Sequence, residues 1–203
     1  MSKTRLQQMQ DQMVKQFPQE GSRIISHMQK EYDALCEQYK DQPKALVSHT
    51  HRNIFPVVVC FHALIQEGLS RQEAAQIAND RFLELMESSK KSIQSALKIP
   101  GLYKLMPWLW KTLMPKMFKE DAGFRFQFYP TDKNQVKFDM LACPYHQVCK
   151  ELDCLELAPT FCATDDLCYG NMHPKLIWNR TKTIARGSEL CDFDLYIPKK
   201  DQK

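Results

Sequence analysis

The residues able to do chemistry crowd one stretch of this chain. Six of its eight cysteines lie there: Cys143, Cys149, Cys154, Cys162, Cys168 and Cys191. The neighbouring carboxylates Asp165 and Asp166, the imidazoles of His146 and His173, and the Arg180 guanidinium fall within the same span. A thiol becomes a nucleophile when a cation, a base or a helix N-terminus lowers its pKa. Cys143 precedes Pro144 at an expected helix start, where the helix dipole favours a thiolate. His146 follows three residues on and shares that helix face. Cys191 comes soon after an expected turn at Arg186 to Glu189, a setting for an open, reactive group. Arg180 sits inside Ile177-Trp178-Asn179-Arg180-Thr181, where a buried guanidinium needs a carboxylate or a bound ligand, with Asp165 and Asp192 the candidates. His173 precedes Pro174 in a loop from which an imidazole can reach a site.

Each of these residues also has a plainer role. Any one cysteine can be a small apolar filler, as Cys36 and Cys60 in helical contexts are read to be. Each histidine can be a solvated or capping group, and His49, His51 and His62 are assigned no chemistry. The paired C-x-x-C spacing of zinc and iron–sulfur sites is missing, so a divalent metal is an option without a signature. Redox chemistry between thiols ranks lower for the same reason.

Net charge is +4, from 28 basic and 24 acidic residues. That is too mild to imply nucleic acid, and no helix-turn-helix, zinc-finger or aromatic RNA-binding pattern is visible. A small-molecule substrate is the expected partner. Met1 to Gln10 is polar and is read as no signal peptide. The longest apolar run, Phe55 to Ile65, is too short to span a bilayer. A cytoplasmic location with reduced thiols is therefore the default expectation.

The elements that must position these groups fall into two regions, 1–120 and 121–203, expected to form one compact domain overall. Helices are expected at Leu6 to Gln16, Glu20 to Tyr39 and Arg52 to Glu67, the last closed by Gly68. A further helix starts at a Ser70–Glu73 capping box and turns Ala74, Ala78, Phe82 and Met86 to one side. From Lys90 to Lys119 seven lysines alternate with aromatic and aliphatic residues, broken by Pro100, Pro107 and Pro115. Two readings fit. One is a surface segment touching anionic lipid or covering an apolar substrate. The other, preferred because proline chops the stripe, is short helices whose lysine stems snorkel while the aromatics face the core.

After Gly123 the period becomes two. Phe124, Phe126 and Phe128 suggest a half-buried strand, with Val136 to Ala142 as its antiparallel partner. A helix from Pro144 to about Asp153, a short helix at Asp165 to Tyr169, and strands at Leu176 to Ala185 and Leu190 to Ile197 follow. The fold class is α+β: a helical N-terminal half packed on a small antiparallel sheet formed by the C-terminal half.

Arg180-Thr181-Lys182-Thr183-Ile184-Ala185-Arg186-Gly187, followed after three residues by Cys191-Asp192-Phe193, resembles the signature of the L-2-amino-thiazoline-4-carboxylic acid hydrolase family. Cys143-Pro144-Tyr145-His146, Glu156-Leu157-Ala158-Pro159, Cys162 with Asp165, and the Asn53 to Pro56 helix start agree with it. One departure is Asp194, where the family often has arginine. The resemblance implies hydrolysis of a cyclic isothiourea at a carbon–nitrogen bond to give S-carbamoyl-cysteine. It places Asp165, Arg180, Cys191 and Asp192 at the core of the site, with Cys143, His146 and Cys162 as further catalytic candidates and His173 beside substrate. Asp165 or Asp192 would pair with the amidinium, and Arg180 would clamp the substrate carboxylate. Attack would come from water, activated by a carboxylate or His146, or from a thiolate at Cys143, Cys162 or Cys191. The alternative is a non-catalytic small-molecule- or metal-binding module built on the cysteine cluster.

Overall fold

Hydrophobic pattern and caps account for the helices. The computed structural model describes residues 3–199; residues 1–2 and 200–203, the outer ends of the two expected regions, lie outside it. The chain divides into two compact units, Met1–Leu85 with Tyr145–Thr160, and Met86–Pro144 with Phe161–Lys203.

The first unit is helical. Helix α1 (Arg5–Gln16) opens with a capping box in which Thr4 and Gln7 satisfy each other's backbone N–H groups. Helix α2 (Gly21–Gln38) buries Ile24, Met28 and Leu35. Helix α3 (Lys44–His49) runs through one π turn, Thr50–Ile54, into α4 (Phe55–Gln66). Nine residues of α4 are buried, so it forms the centre of this unit, and α1 and α2 pack on it. Helix α5 (Arg71–Ala96) starts at the expected Ser70–Glu73 box, Glu73 accepting from the Ser70 N–H at 3.0 Å. It continues ten residues past Met86 and absorbs Lys90 and Lys91. Serine, lysine and glutamine propagate a helix once it is started, so the change of composition there does not end it.

The second unit carries the sheet. Strands β1 (Arg125–Phe128), β2 (Gln135–Ala142), β3 (Ile177–Asn179) and β4 (Cys191–Tyr196) lie in the order β1-β2-β4-β3, all antiparallel. Period two puts Val136, Phe138 and Met140 of β2 opposite Leu195, Phe193 and Cys191 of β4 on one buried face. Helix α6 (Met106–Met117) lies against β2, with Trp110 edge-on to Trp178 and Tyr169. Phe138 stacks on Phe193 with centroids 4.8 Å apart and is 1% exposed. Phe138→Ala is therefore expected to cost about 3–5 kcal/mol of stability, read from a urea unfolding curve.

The expected strand Leu176 to Ala185 is only three residues long here, and Arg180 lies just beyond its end rather than within it. A side chain explains the early stop. The Asp192 carboxylate accepts from the N–H groups of Thr181 and Lys182 and from the Thr181 hydroxyl, taking donors that would otherwise bond a neighbouring strand. A 3₁₀ turn, Ile184–Arg186, then closes on Gly187 at φ 88°. Helix α7 (Pro144–Glu151) begins with proline in its first turn, as expected. The short helix expected at Asp165 is the end of a longer α8 (Ala158–Tyr169). No helix among the described residues is long and apolar enough to cross a membrane.

Candidate functional site

The longer α8 matters for the chemistry. Cys162, Asp165 and Asp166 stand at i, i+3 and i+4 and so share one helix face. Arg180, leaving β3, comes to that face. One terminal nitrogen lies 3.0 Å from Asp165 Oδ2, and the other lies 2.8 Å from Asp166 Oδ1 and donates to the Cys162 carbonyl at 2.8 Å. The guanidinium also lies over the Phe193 and Trp178 rings, at 5.3 and 5.9 Å. Its side chain is only 2% exposed, whereas Asp165 and Asp166 keep 36% and 49% of theirs open. Trp178 Nε1 donates to Asp166 at 3.3 Å, fixing the second carboxylate. Two carboxylates thus share one cation, leaving an excess negative charge at the partly open side of the cluster.

Burial, reinforced by the Asp166 charge, pushes Asp165 up to about 6 even though Arg180 pulls the other way. A carboxyl poised there both accepts and gives protons near neutral pH.

The thiols respond oppositely to what a nucleophile needs. Burial pushes Cys162 up to about 12, against the pull of Arg180. Burial also raises Cys191, although its Sγ accepts from the Ile184 N–H at 3.2 Å and feels Arg180. Cys143 is near enough for its charge to act on Cys162. All eight cysteines are thiols, and Cys60 is fully buried while Cys36 is half-buried. Cys162 and Cys191 are accordingly expected to alkylate with iodoacetamide far more slowly in the native protein than after unfolding. Fast native labelling of either, located by peptide mass spectrometry, would restore a thiolate mechanism.

The structure brings Cys162, Asp165, Arg180 and Cys191 together, with Cys143 in electrostatic range. Asp192, whose charge also acts on Cys191, and His173 have partners of their own. Asp192 holds the Thr181–Lys182 backbone, and those hydrogen bonds outweigh burial and keep it well ionised. His173 stacks on Tyr103 at 4.4 Å and accepts from the Lys175 N–H, the work of a loop cap. His146 lies in the first turn of α7, three residues after Cys143. Asp194 alternates with Phe193, so it faces away from Arg180, and accepts from Gln135 at 2.8 Å. An arginine at that register would also point away. Among the described residues no group of three or more His, Cys, Asp or Glu side chains is arranged to hold a metal ion. One buried hydroxyl beside the site, Thr183 Oγ1, has no hydrogen-bond partner among them.

A second polar cluster, in the helical unit, went unread in the sequence. The Tyr145 hydroxyl lies 3.0 Å from His49 Nδ1 and accepts from Asn53 Nδ2 at 2.8 Å. Gln42 donates to Thr50 nearby, and the acceptor oxygens of Gln42 and Asn53 are buried without partners among the described residues. The π turn carries Thr50 and Asn53, and such turns are frequent at functional sites. Asn53 and Tyr145 both belong to the motifs quoted above, which was the available signal.

Against known proteins, a family model described as L-2-amino-thiazoline-4-carboxylic acid hydrolase matches residues 47–195. No curated protein matches the sequence. Among solved structures, an H-NOX domain from Shewanella oneidensis in its Fe(II)CO state aligns over 98% of this chain and 100% of its own. Its TM-score is 0.36 at 12% identity, too low to carry fold or ligand across.

Proposed function

This chain belongs to the L-2-amino-thiazoline-4-carboxylic acid hydrolase family, and from that premise we infer that it hydrolyses a cyclic isothiourea with Asp165 as the proton-transfer group. The family name supports hydrolysis; the substrate and the residue roles are our reading. The observation that carries it is the shared cation: two carboxylates on one guanidinium, with Asp165 pushed up to about 6.

A protonated amidine supplies the positive charge the cluster lacks. Asp166, already ionically engaged, is placed to attract it, and binding a cation there makes Asp165 a carboxylate when substrate arrives. Asp165 then takes a proton from water as its oxygen bonds to the amidine carbon. It returns that proton to the ring nitrogen as the carbon–nitrogen bond breaks, leaving a carbamoyl group on sulfur. One group with a pKa near the working pH can serve both steps.

In this reading Arg180 serves the acids rather than the substrate. Its two terminal nitrogens face Asp165, Asp166 and the Cys162 carbonyl, and its side chain is only 2% exposed. It therefore positions and tunes the acids, and the substrate carboxylate needs another partner. A covalent route through Cys162 is disfavoured, because a thiol near 12 does not give its proton to a carboxylate near 6.

The test is to incubate purified protein with L-2-amino-thiazoline-4-carboxylate and follow S-carbamoyl-cysteine by mass spectrometry. Steady product formation is expected. No turnover from pH 5 to 9, with or without added divalent metal, would reject this substrate.

A further inference from the structure

The described residues include one exposed segment whose composition the hydrolytic reading does not use. Between Lys90 and Lys119 there are seven lysines and no Asp or Glu. Ile99, Leu105, Trp108 and Leu113 in that stretch are 58%, 51%, 58% and 44% exposed. The sequence reading preferred here was that these apolar groups turn inward. Only part of α6 does so: Pro107 and Met114 are buried and Trp110 meets the aromatic layer over the sheet, while Trp108 and Leu113 remain outside. Lys98, Lys104, Lys111 and Lys116 are exposed and, unlike Lys90, which meets Glu87, have no ion-pair partner among the described residues.

We propose that this segment, residues 98–116, docks reversibly on an anionic lipid bilayer. Charge complementarity selects the occupant. A segment with four exposed lysines that lack an ion-pair partner among the described residues, and with no acid between residues 98 and 116, repels a second copy of itself and is attracted to a surface of lipid phosphates and carboxylates. Its composition also fits: a short helix and the turn before it expose Leu105, Trp108 and Leu113 among lysines, the mix of residues that lies in a headgroup region. Trp108 supplies the ring that prefers this interface, and the lysine stems let the ammonium groups reach the headgroups.

The experiment is co-sedimentation of the full chain with two vesicle preparations: pure phosphatidylcholine, and phosphatidylcholine with about a third phosphatidylserine, which raises the negative surface potential. Binding is expected to the second only, to be lost at about 1 M salt, where screening acts within roughly 3 Å, and to shift Trp emission to the blue. Trp108→Ser should weaken partition several-fold and remove most of that shift. Lys104→Gln with Lys111→Gln should weaken it by about fivefold per lysine. Both variants change exposed side chains and should keep the wild-type melting curve; if one fails to fold, the other still decides. Three outcomes would overturn the proposal. They are no binding to either vesicle, binding indifferent to both variants and to salt, and a concentration-dependent oligomer that Trp108→Ser dissolves without any vesicle binding.

Discussion

Asp165→Asn should lower kcat on the thiazoline carboxylate by about 10²–10⁴-fold, the usual loss when a positioned acid–base group is removed. The amide keeps the size and one acceptor oxygen of the carboxylate but cannot take a proton. Asp166 and the Cys162 carbonyl still hold Arg180, so the fold is expected to survive. Stability should move little, and upward if at all. The folded protein raises this carboxyl from 3.8 to about 6, so its contribution is full below about pH 4 and is lost as pH rises through 6. At neutral pH the ionised form is the one the fold disfavours, and the variant removes it. Circular dichroism and a melting curve at pH 7.5 accompany the kinetics; an unfolded variant would move the test to Asp165→Glu, which restores the acid at a shifted distance. Full activity in a folded Asp165→Asn protein would remove Asp165 from the mechanism.

The second large effect is expected at Arg180. Arg180→Met places an apolar chain of similar length over Phe193 but leaves Asp165 and Asp166 side by side without a cation. Removing one partner of a buried ion pair costs about 3–5 kcal/mol. Because both carboxylates are partly open to solvent, the lower end is expected, roughly 3 kcal/mol. For a chain of this length that is a fall of about 2–4 °C in Tm per kcal/mol. The loss should depend on pH with a definite sign. Without Arg180 the Asp165 carboxyl rises further above 6, so the variant is most impaired well above that pH and recovers towards wild type as pH falls towards about 6. A deficit that stays constant from pH 8 to 5 would show that the guanidinium acts through packing on the aromatic rings alone.

Much of this was legible in the residues. The Ser70–Glu73 capping box, period-two phenylalanines and the Cys-Pro helix start were enough to place α5, α7 and the β1–β2 hairpin, because each is fixed by local chemistry. The demand of Arg180 for Asp165 was also readable, since a buried guanidinium has few alternatives. What escaped were features set by long-range competition. Asp192 looked like a second catalytic acid because it sits in the motif, yet its alternation with Cys191 and Phe193 turns it to the other face, where it ends β3. His173 looked available until Tyr103, seventy residues earlier, stacked on it. The thiols looked nucleophilic because their neighbours are charged, but the sequence carries no measure of how deeply they are buried, and burial is the larger influence on Cys162 and Cys191. The Cys162–Asp165–Asp166 face was visible as i, i+3, i+4 spacing, provided the helix was started early enough, at Ala158.

The most direct measurement is the pH dependence of kcat/KM for wild type and Asp165→Asn on the thiazoline carboxylate, since that ratio reports ionisations of the free enzyme. An ascending limb near pH 6 in the wild type is expected, with kcat rising at a somewhat lower pH because bound amidinium favours the carboxylate, and with no such limb in the residual activity of the variant. A limb at pH 9 or above that persists in Asp165→Asn and disappears in Cys162→Ala or Cys191→Ala would contradict this and make a thiolate the attacking group.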